Sequence, residues 1–364
     1  MTEVYSCEDC QPVIVTPTGL PSLNGTGNGS TYMFSIQDHM TYRVAHILHT
    51  YVLPSDIFIG LMANLISILV FTGKDLRNLS SSVYVLAVLI ADSGSLITMV
   101  AVWLEVLKYP INHMQGMCQF FVYLTYICSF LSVWYMVCIT VENYITFCHP
   151  TRIKIMCTQS RARMVTIALA VGALCLYSVS PFIVDVTSDP NYPNYSPTCR
   201  PKPSYIVFND ILTYIDSVLT LLVPSVAILL MLTAIVVSIV SSLRKKKRRM
   251  VKDQPRAKNK ADCPQVRVAK MLFALSSTYL ILNLPSHVIR LFFLLRPNDV
   301  TQPNITMEEG LMMLIFLYLS YLNSCVKFFL LFAFSANFRK RILGTCVFKR
   351  CQVYIPVSTG ATKV

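Results

Sequence analysis

YLNSCVKFFLLFAF, residues Tyr321 to Phe334, is an apolar run with a single charge, Lys327, at its centre. An unpaired charge in apolar surroundings is costly, so the reading of this stretch depends on what encloses it. Upstream, GLMMLIFLYLS (310–320) continues the run into a window of about 309–335. That exceeds the ~20 residues a helix needs to cross the ~30 Å hydrocarbon core of a bilayer. Six more windows lie at about 50–72, 82–106, 115–147, 164–186, 205–242 and 267–295, and the fifth is long enough to project beyond the membrane. Only helices or closed barrels satisfy their backbone polar groups in lipid, and these runs are too long for barrel strands. The expected fold is an all-α membrane protein, a bundle of seven transmembrane helices.

Composition agrees. Hydrophobic residues make up 54% of the 364 positions and charged residues 13%, far too apolar for a water-soluble domain of this size. The net charge of +13 is segregated. RKKKRRMVKDQPRAKNK (244–260) lies between the fifth and sixth windows, and Lys74, Arg77, Arg152, Lys154, Arg161, Arg163, Arg339, Lys340 and Arg341 fall on the same side. The positive-inside rule puts that side in the cytoplasm and the N-terminus outside, at the plasma membrane. The basic run then reads as topology plus attraction to anionic membrane lipid, not as a nucleic-acid site. The sequons at Asn24, Asn28 and Asn304 fall on the outer side and are expected to be glycosylated. Asn194 is outside but followed by Pro197, and Asn78 is inside. No cleavable signal peptide is expected, so the first helix would serve as signal anchor.

Residues 1–46 form a tail rich in Gly, Ser, Thr and Pro, expected to be disordered; 47–335 is the membrane domain, and 336–364 holds an amphipathic helix and a cytoplasmic tail. Of thirteen cysteines, Cys118 and Cys199 both face the oxidising side and read as a disulfide. Cys7 and Cys10 pair locally in the same reading; Cys346 and Cys351 suit palmitoylation or remain free thiols. No catalytic set, zinc spacing or phosphate-cradling loop is present, so neither enzyme activity nor a cofactor is expected. His46 and His49 read as interfacial residues rather than a metal site.

From Pro54 to Phe348 the chain resembles a rhodopsin-like (class A) G-protein-coupled receptor. The resemblance rests on Asn64 in GLMANLISILV, Asp92 closing LAVLIAD, Cys118 with Cys199, Pro181, Pro224 and Pro285, YLNSC (321–325) and ANFRKRI (336–342). LNLPSHVIR and NSCVKFF are similar to divergent invertebrate neuropeptide receptors of the FMRFamide-receptor type. The resemblance implies an extracellular peptide ligand and a heterotrimeric G protein, met at Glu142, Asn143 and Tyr144. Three departures stand out. The third helix ends Glu142-Asn143-Tyr144 where the family has an arginine, Asn283 stands at the sixth-helix tryptophan, and Lys327-Phe328-Phe329-Leu330-Leu331 replaces Asn-Pro-x-x-Tyr. These favour, as an alternative, a non-signalling binding protein such as a decoy or partner subunit; the basic inner surface disfavours it.

The resemblance also places an ion pocket at Asn64, Asp92, Ser132, Asn323 and Ser324. Lys327 lies four residues after Asn323, on the same helix face. Either its ammonium pairs with Asp92 as a tethered cation, or it snorkels to the cytoplasmic surface. The retinal-lysine position holds Tyr321 and the amine-binding aspartate position holds Thr125, which argues against both those ligand classes. A polar outer pocket of Thr125, Tyr126, Ser129, Asp216, Asn283, His287, Arg290 and Tyr321 remains. In it Asp216 either takes the guanidinium of an Arg-Phe-amide peptide or pairs with Arg290.

Overall fold

The computed structural model describes residues 40–73, 79–109, 111–187, 198–250, 264–295, 307–335 and 338–342. Among them, seven helices are long and apolar enough to span a membrane: α1 (Arg43–Phe71), α2 (Ser80–Val106), α3 (Met117–Cys148), α4 (Gln159–Ile183), α5 (Pro203–Arg244), α6 (Val268–Phe293) and α7 (Glu309–Phe334). Helical backbone begins at Met40, upstream of the apolar window, because an amphipathic turn outside the core need not be apolar. The expectations placed on the N-terminal tail, Cys7, Cys10, Asn24, Asn28, Asn78, Asn194, Asn304, residues 251–263, Cys346 and Cys351 lie outside the described residues.

The bundle inverts the pattern of a water-soluble protein. Phe58, Phe182, Val207, Leu230 and Ile281 are exposed around its outside, while Asn64, Ser67, Asp92, Thr140, Asn143 and Asn323 are buried within. α3 is the most enclosed span and α5 the least. The inner-half core gathers Val88, Leu89, Met136, Ile139, Ile228, Ile235, Leu272 and Leu331. The outer-half core is built on Cys118, Tyr126, Phe130, Tyr177 and Ile183. Gly94 lets α2 approach α3, since a Cβ there would collide with Cys128 Sγ.

Several local devices set the helix directions. α1 and α5 each contain a π-helical turn, Leu48–Val52 and Val218–Leu222. The second lies just before Pro224, and Trp134 Nε1 of α3 donates to its Leu219 carbonyl at 3.1 Å. Pro285 sits inside α6, where its missing N–H removes one ladder hydrogen bond. α4 breaks in a turn at 177–179 ahead of Pro181. Strands β1 (Val184–Thr187) and β2 (Thr198–Pro201) then pair antiparallel, with Val186 opposite Cys199. The Cys118–Cys199 disulfide, Cα–Cα 5.7 Å, pins this hairpin to the start of α3.

After α7 the backbone is helical again over 338–342. Phe338 is wholly buried between Phe71 of α1 and Phe328 of α7, with ring centroids 5.8 and 5.9 Å away. Arg339 Nη1 donates to the Ala333 carbonyl at 2.5 Å, satisfying one of the orphan acceptors at the end of α7.

Candidate functional site

The charge at the centre of α7 has a partner. Lys327 Nζ donates to Asp92 Oδ2 of α2, and Ser132 Oγ of α3 donates to Asp92 Oδ1 at 2.5 Å. The two charged side chains are 4% and 6% exposed, so both are sealed in the bundle. The snorkelling alternative is overturned: four methylenes carry the ammonium sideways to α2 rather than down to the inner surface. A buried ion is tolerated in lipid only when paired and hydrogen-bonded, and the Ser132 hydroxyl supplies the further bond. The lysine stem passes a small pocket lined by Val88, Leu89, Met136, Ile139, Leu275 and Leu331. Asn323 and Ser324, one turn outward on α7, are buried but make no hydrogen bond to Asp92 among the described residues. Asn64 is fully buried on α1, and neither atom of its amide has a partner.

At the inner end of α3, Glu142 and Asn143 are both buried, so neither is open to a partner in this conformation. The Ser80 and Ser81 hydroxyls of α2 bear on the Glu142 carboxylate. Asn143 faces α6. With its amide turned so that each end meets a complementary group, Nδ2 donates to Ala269 O at 2.9 Å and Oδ1 accepts from Phe273 N–H at 3.1 Å. Tyr144 turns away, its Oη 3.5 Å from His149 Nε2. Cys157 lies between α3 and α4; burial, with the Glu142 charge adding to it, pushes its thiol up to about 11.

The outer half places the proposed ligand-facing residues unevenly. Asp216 does not pair with Arg290: its Oδ1 accepts from Tyr177 Oη of α4 at 2.5 Å, and the carboxylate is buried. Tyr177 in turn stacks on Tyr126 of α3, with ring centroids 5.1 Å apart. Thr125 Oγ1 is spent on its own helix, donating to Phe121 O at 2.7 Å. Asn283, at the tryptophan position, ties α6 to α7: Ser320 Oγ donates to its Oδ1 at 2.7 Å. Tyr321 packs edge-on against Tyr318, which meets His49 Nδ1 of α1 at 3.0 Å. Ser129 and Arg290 are half-buried. His287 differs from all of these, since both its ring nitrogens are buried and without a partner.

The sequence reading missed Tyr177 and Ser320. The usable signal was physical: a carboxylate in a spanning helix must find a donor on a neighbouring helix, and α4 offers a tyrosine four residues before Pro181. Among the described residues, no group of three or more His, Cys, Asp or Glu could hold a metal ion.

A seven-helix bundle with a hairpin bonded to its third helix and a polar centre on the second, third and seventh invites comparison with known families. Residues 63–327 match the 7 transmembrane receptor (rhodopsin family). The chain belongs to that family. This rhodopsin-family receptor is similar to the neuromedin U receptor homolog nmur-2 of Caenorhabditis elegans, 22% identical over 286 residues, covering 71% of this chain and 69% of the relative. It is also similar to growth hormone secretagogue receptor type 1 of Sus scrofa, 23% identical over 273 residues, with 72% and 71% covered. The same receptor of Homo sapiens is 24% identical over 274 residues, again with 72% and 71% covered. The family consists of receptors, not enzymes, and this receptor is a multi-pass membrane protein with the Cys118–Cys199 disulfide. None of these relatives is named as an FMRFamide receptor, so that subtype rests on the two sequence motifs alone.

Proposed function

We propose that this receptor binds a peptide at the plasma membrane, with its N-terminus outside, and passes the signal to a heterotrimeric G protein. His287 carries the ligand-site reading. A half-buried histidine whose two ring nitrogens are enclosed and unsatisfied is costly to maintain, and a ligand that fills the outer half of the bundle removes that cost. The relatives support a peptide as that ligand: one is named for neuromedin U and others for a growth hormone secretagogue. Asp216, oriented by Tyr177, would offer its second carboxylate oxygen to a ligand guanidinium, which suits an amidated peptide ending in Arg-Phe. Thr125, Tyr126, Ser129, Asn283, Arg290 and Tyr321 complete the proposed wall. Signalling would be a population shift in which the ligand favours the state with the inner end of α6 swung outward about Pro285. The Lys327–Asp92 pair would stand where related receptors hold sodium. Glu142, Asn143 and Tyr144 would then open to the G protein. The non-signalling alternative gains no support from this geometry.

The test is nucleotide exchange on purified G proteins by receptor in lipid nanodiscs, with a panel of amidated peptides. A peptide that activates wild type, loses at least about tenfold in potency in His287→Ala, and loses potency in Asp216→Asn is the expected result. Unchanged potency in Asp216→Asn removes the guanidinium contact. A peptide that binds tightly yet drives exchange on no G-protein class overturns the signalling reading.

A further inference from the structure

We propose that Asn143 is a neutral clasp that holds the inner halves of α3 and α6 together in the resting state. Its amide spans one hydrogen-bond step of α6. Nδ2 donates to Ala269 O at 2.9 Å and Oδ1 accepts from Phe273 N–H at 3.1 Å, and those two backbone groups belong to residues i and i+4. A primary amide has one donor end and one acceptor end, and so does a single helical step. The match is therefore two-sided, and it is made to backbone, which any substitution within α6 other than proline leaves in place.

A second bond extends the seam. One turn up α3, Thr140 Oγ1 donates to Ser276 Oγ at 2.8 Å, and both residues are fully buried. Met136 and Ile139 of α3 and Leu272 and Leu275 of α6, all buried, enclose these groups in apolar packing. When the seam opens, Phe273 N–H and Ala269 O stay bonded to each other along α6 and Thr140 keeps its bond to Met136 O at 2.9 Å, so the groups left unmet in this dry setting are the Asn143 amide and the Ser276 hydroxyl. No charge takes part. Glu142, the neighbouring ionisable group, is turned to Ser80 and Ser81 of α2 and not to α6.

This assignment changes how the missing arginine is understood. A guanidinium has five donors and no acceptor, so it cannot receive the Phe273 N–H. Placing an arginine at 143 therefore dismantles the clasp. The inference goes beyond the receptor reading and is testable with neither ligand nor G protein.

The experiment is fluorine NMR on the full chain in nanodiscs. A trifluoromethyl-phenylalanine is introduced by codon suppression at Lys270, an exposed position on the inner end of α6. Ile167, exposed on α4, carries the same probe as a control. Wild type is expected to show one dominant resonance at 270. Asn143→Leu and Asn143→Arg should add a second resonance there, with the open population raised about tenfold, equivalent to about 1.4 kcal/mol. The probe at 167 should not change. Ser276→Ala, a small change that the helix accommodates, should raise the same resonance severalfold and keeps the test alive if the Asn143 variants fold poorly. Spectra at 270 that match wild type in Asn143→Leu, or in Ser276→Ala should that variant be the one that folds, overturn the proposal. So does an Asn143→Arg spectrum as closed as wild type, or an equal change at 167, which would mean general loosening.

Discussion

Replacing Lys327 by methionine leaves the Asp92 carboxylate buried with one hydroxyl as its remaining partner, and Asp92→Asn leaves the ammonium buried instead. Both side chains are almost fully enclosed, at 4% and 6% exposed. Breaking a buried pair from one side costs about 3–5 kcal/mol, whereas replacing both members with uncharged groups is close to neutral. The amide oxygen introduced by Asp92→Asn still accepts from Ser132, so the loss in that variant is confined to the charge pair. On a scale of roughly 2–4 °C per kcal/mol, each single variant should melt about 6–20 °C below wild type, and the double variant within a few degrees of it. The assay is the apparent melting temperature of purified receptor at one fixed scan rate, since membrane proteins unfold irreversibly. A cation arm makes the argument specific. Wild type should melt alike in sodium and potassium chloride, because the ammonium already fills the position. Lys327→Met should gain a sodium-dependent rise; sodium at a hundredfold its dissociation constant would restore about 2.7 kcal/mol. A clear sodium effect in wild type, single-variant losses under about 1 kcal/mol, or strictly additive losses in the double variant would each refute the reasoning.

Tyr177→Phe removes the hydroxyl that bonds Asp216 and should cost about 1–3 kcal/mol, read as a lower melting temperature that Tyr177→Phe/Asp216→Leu partly restores. Phe338→Ala empties a fully enclosed site between Phe71 and Phe328 and should cost about 3–5 kcal/mol; no loss would mean the post-α7 helix is not docked. Cys157, its thiol held near 11, should alkylate slowly at neutral pH and faster as pH rises toward that value; mass spectrometry of iodoacetamide-treated receptor, with free glutathione in the same reaction as reference, checks it.

The architecture was legible because lipid leaves few alternatives. Runs such as 82–106 and 309–335 are too long and too apolar to be anything but spans, and α2 and α7 match them to within a few residues. Cys118 and Cys199 were legible because both sit beside spans on the oxidising side and match the paired cysteines of the resembled family. The pairing of Lys327 was half-legible: spacing put it on the face of Asn323, but whether its stem ran sideways or downward depended on the depth and reach of α2. The choices that stayed hidden were made by neighbours distant in sequence. Asp216 offered itself equally to Arg290 and to a ligand, until the break in α4 set Tyr177 against it. Asn143 read as a loss of charge, and only the register of α6 shows the step that its amide meets. The π turns leave no mark in hydropathy, because Val218–Leu222 is as apolar as the helix on its inner side.

That π turn in α5 acts as a gear coupling. It holds one more residue than an α turn would, so the outer half of the helix is indexed by roughly 100° relative to the inner half, given 3.6 residues per turn. Asp216 and Ile235 therefore sit on one continuous helix yet answer to separate phases. Deleting one residue within 218–222 would swing Asp216 away from Tyr177 while Ile228 and Ile235 kept their seats in the inner core. The outer face can therefore be re-indexed by such one-codon steps without disturbing the inner face packed in the core with α6.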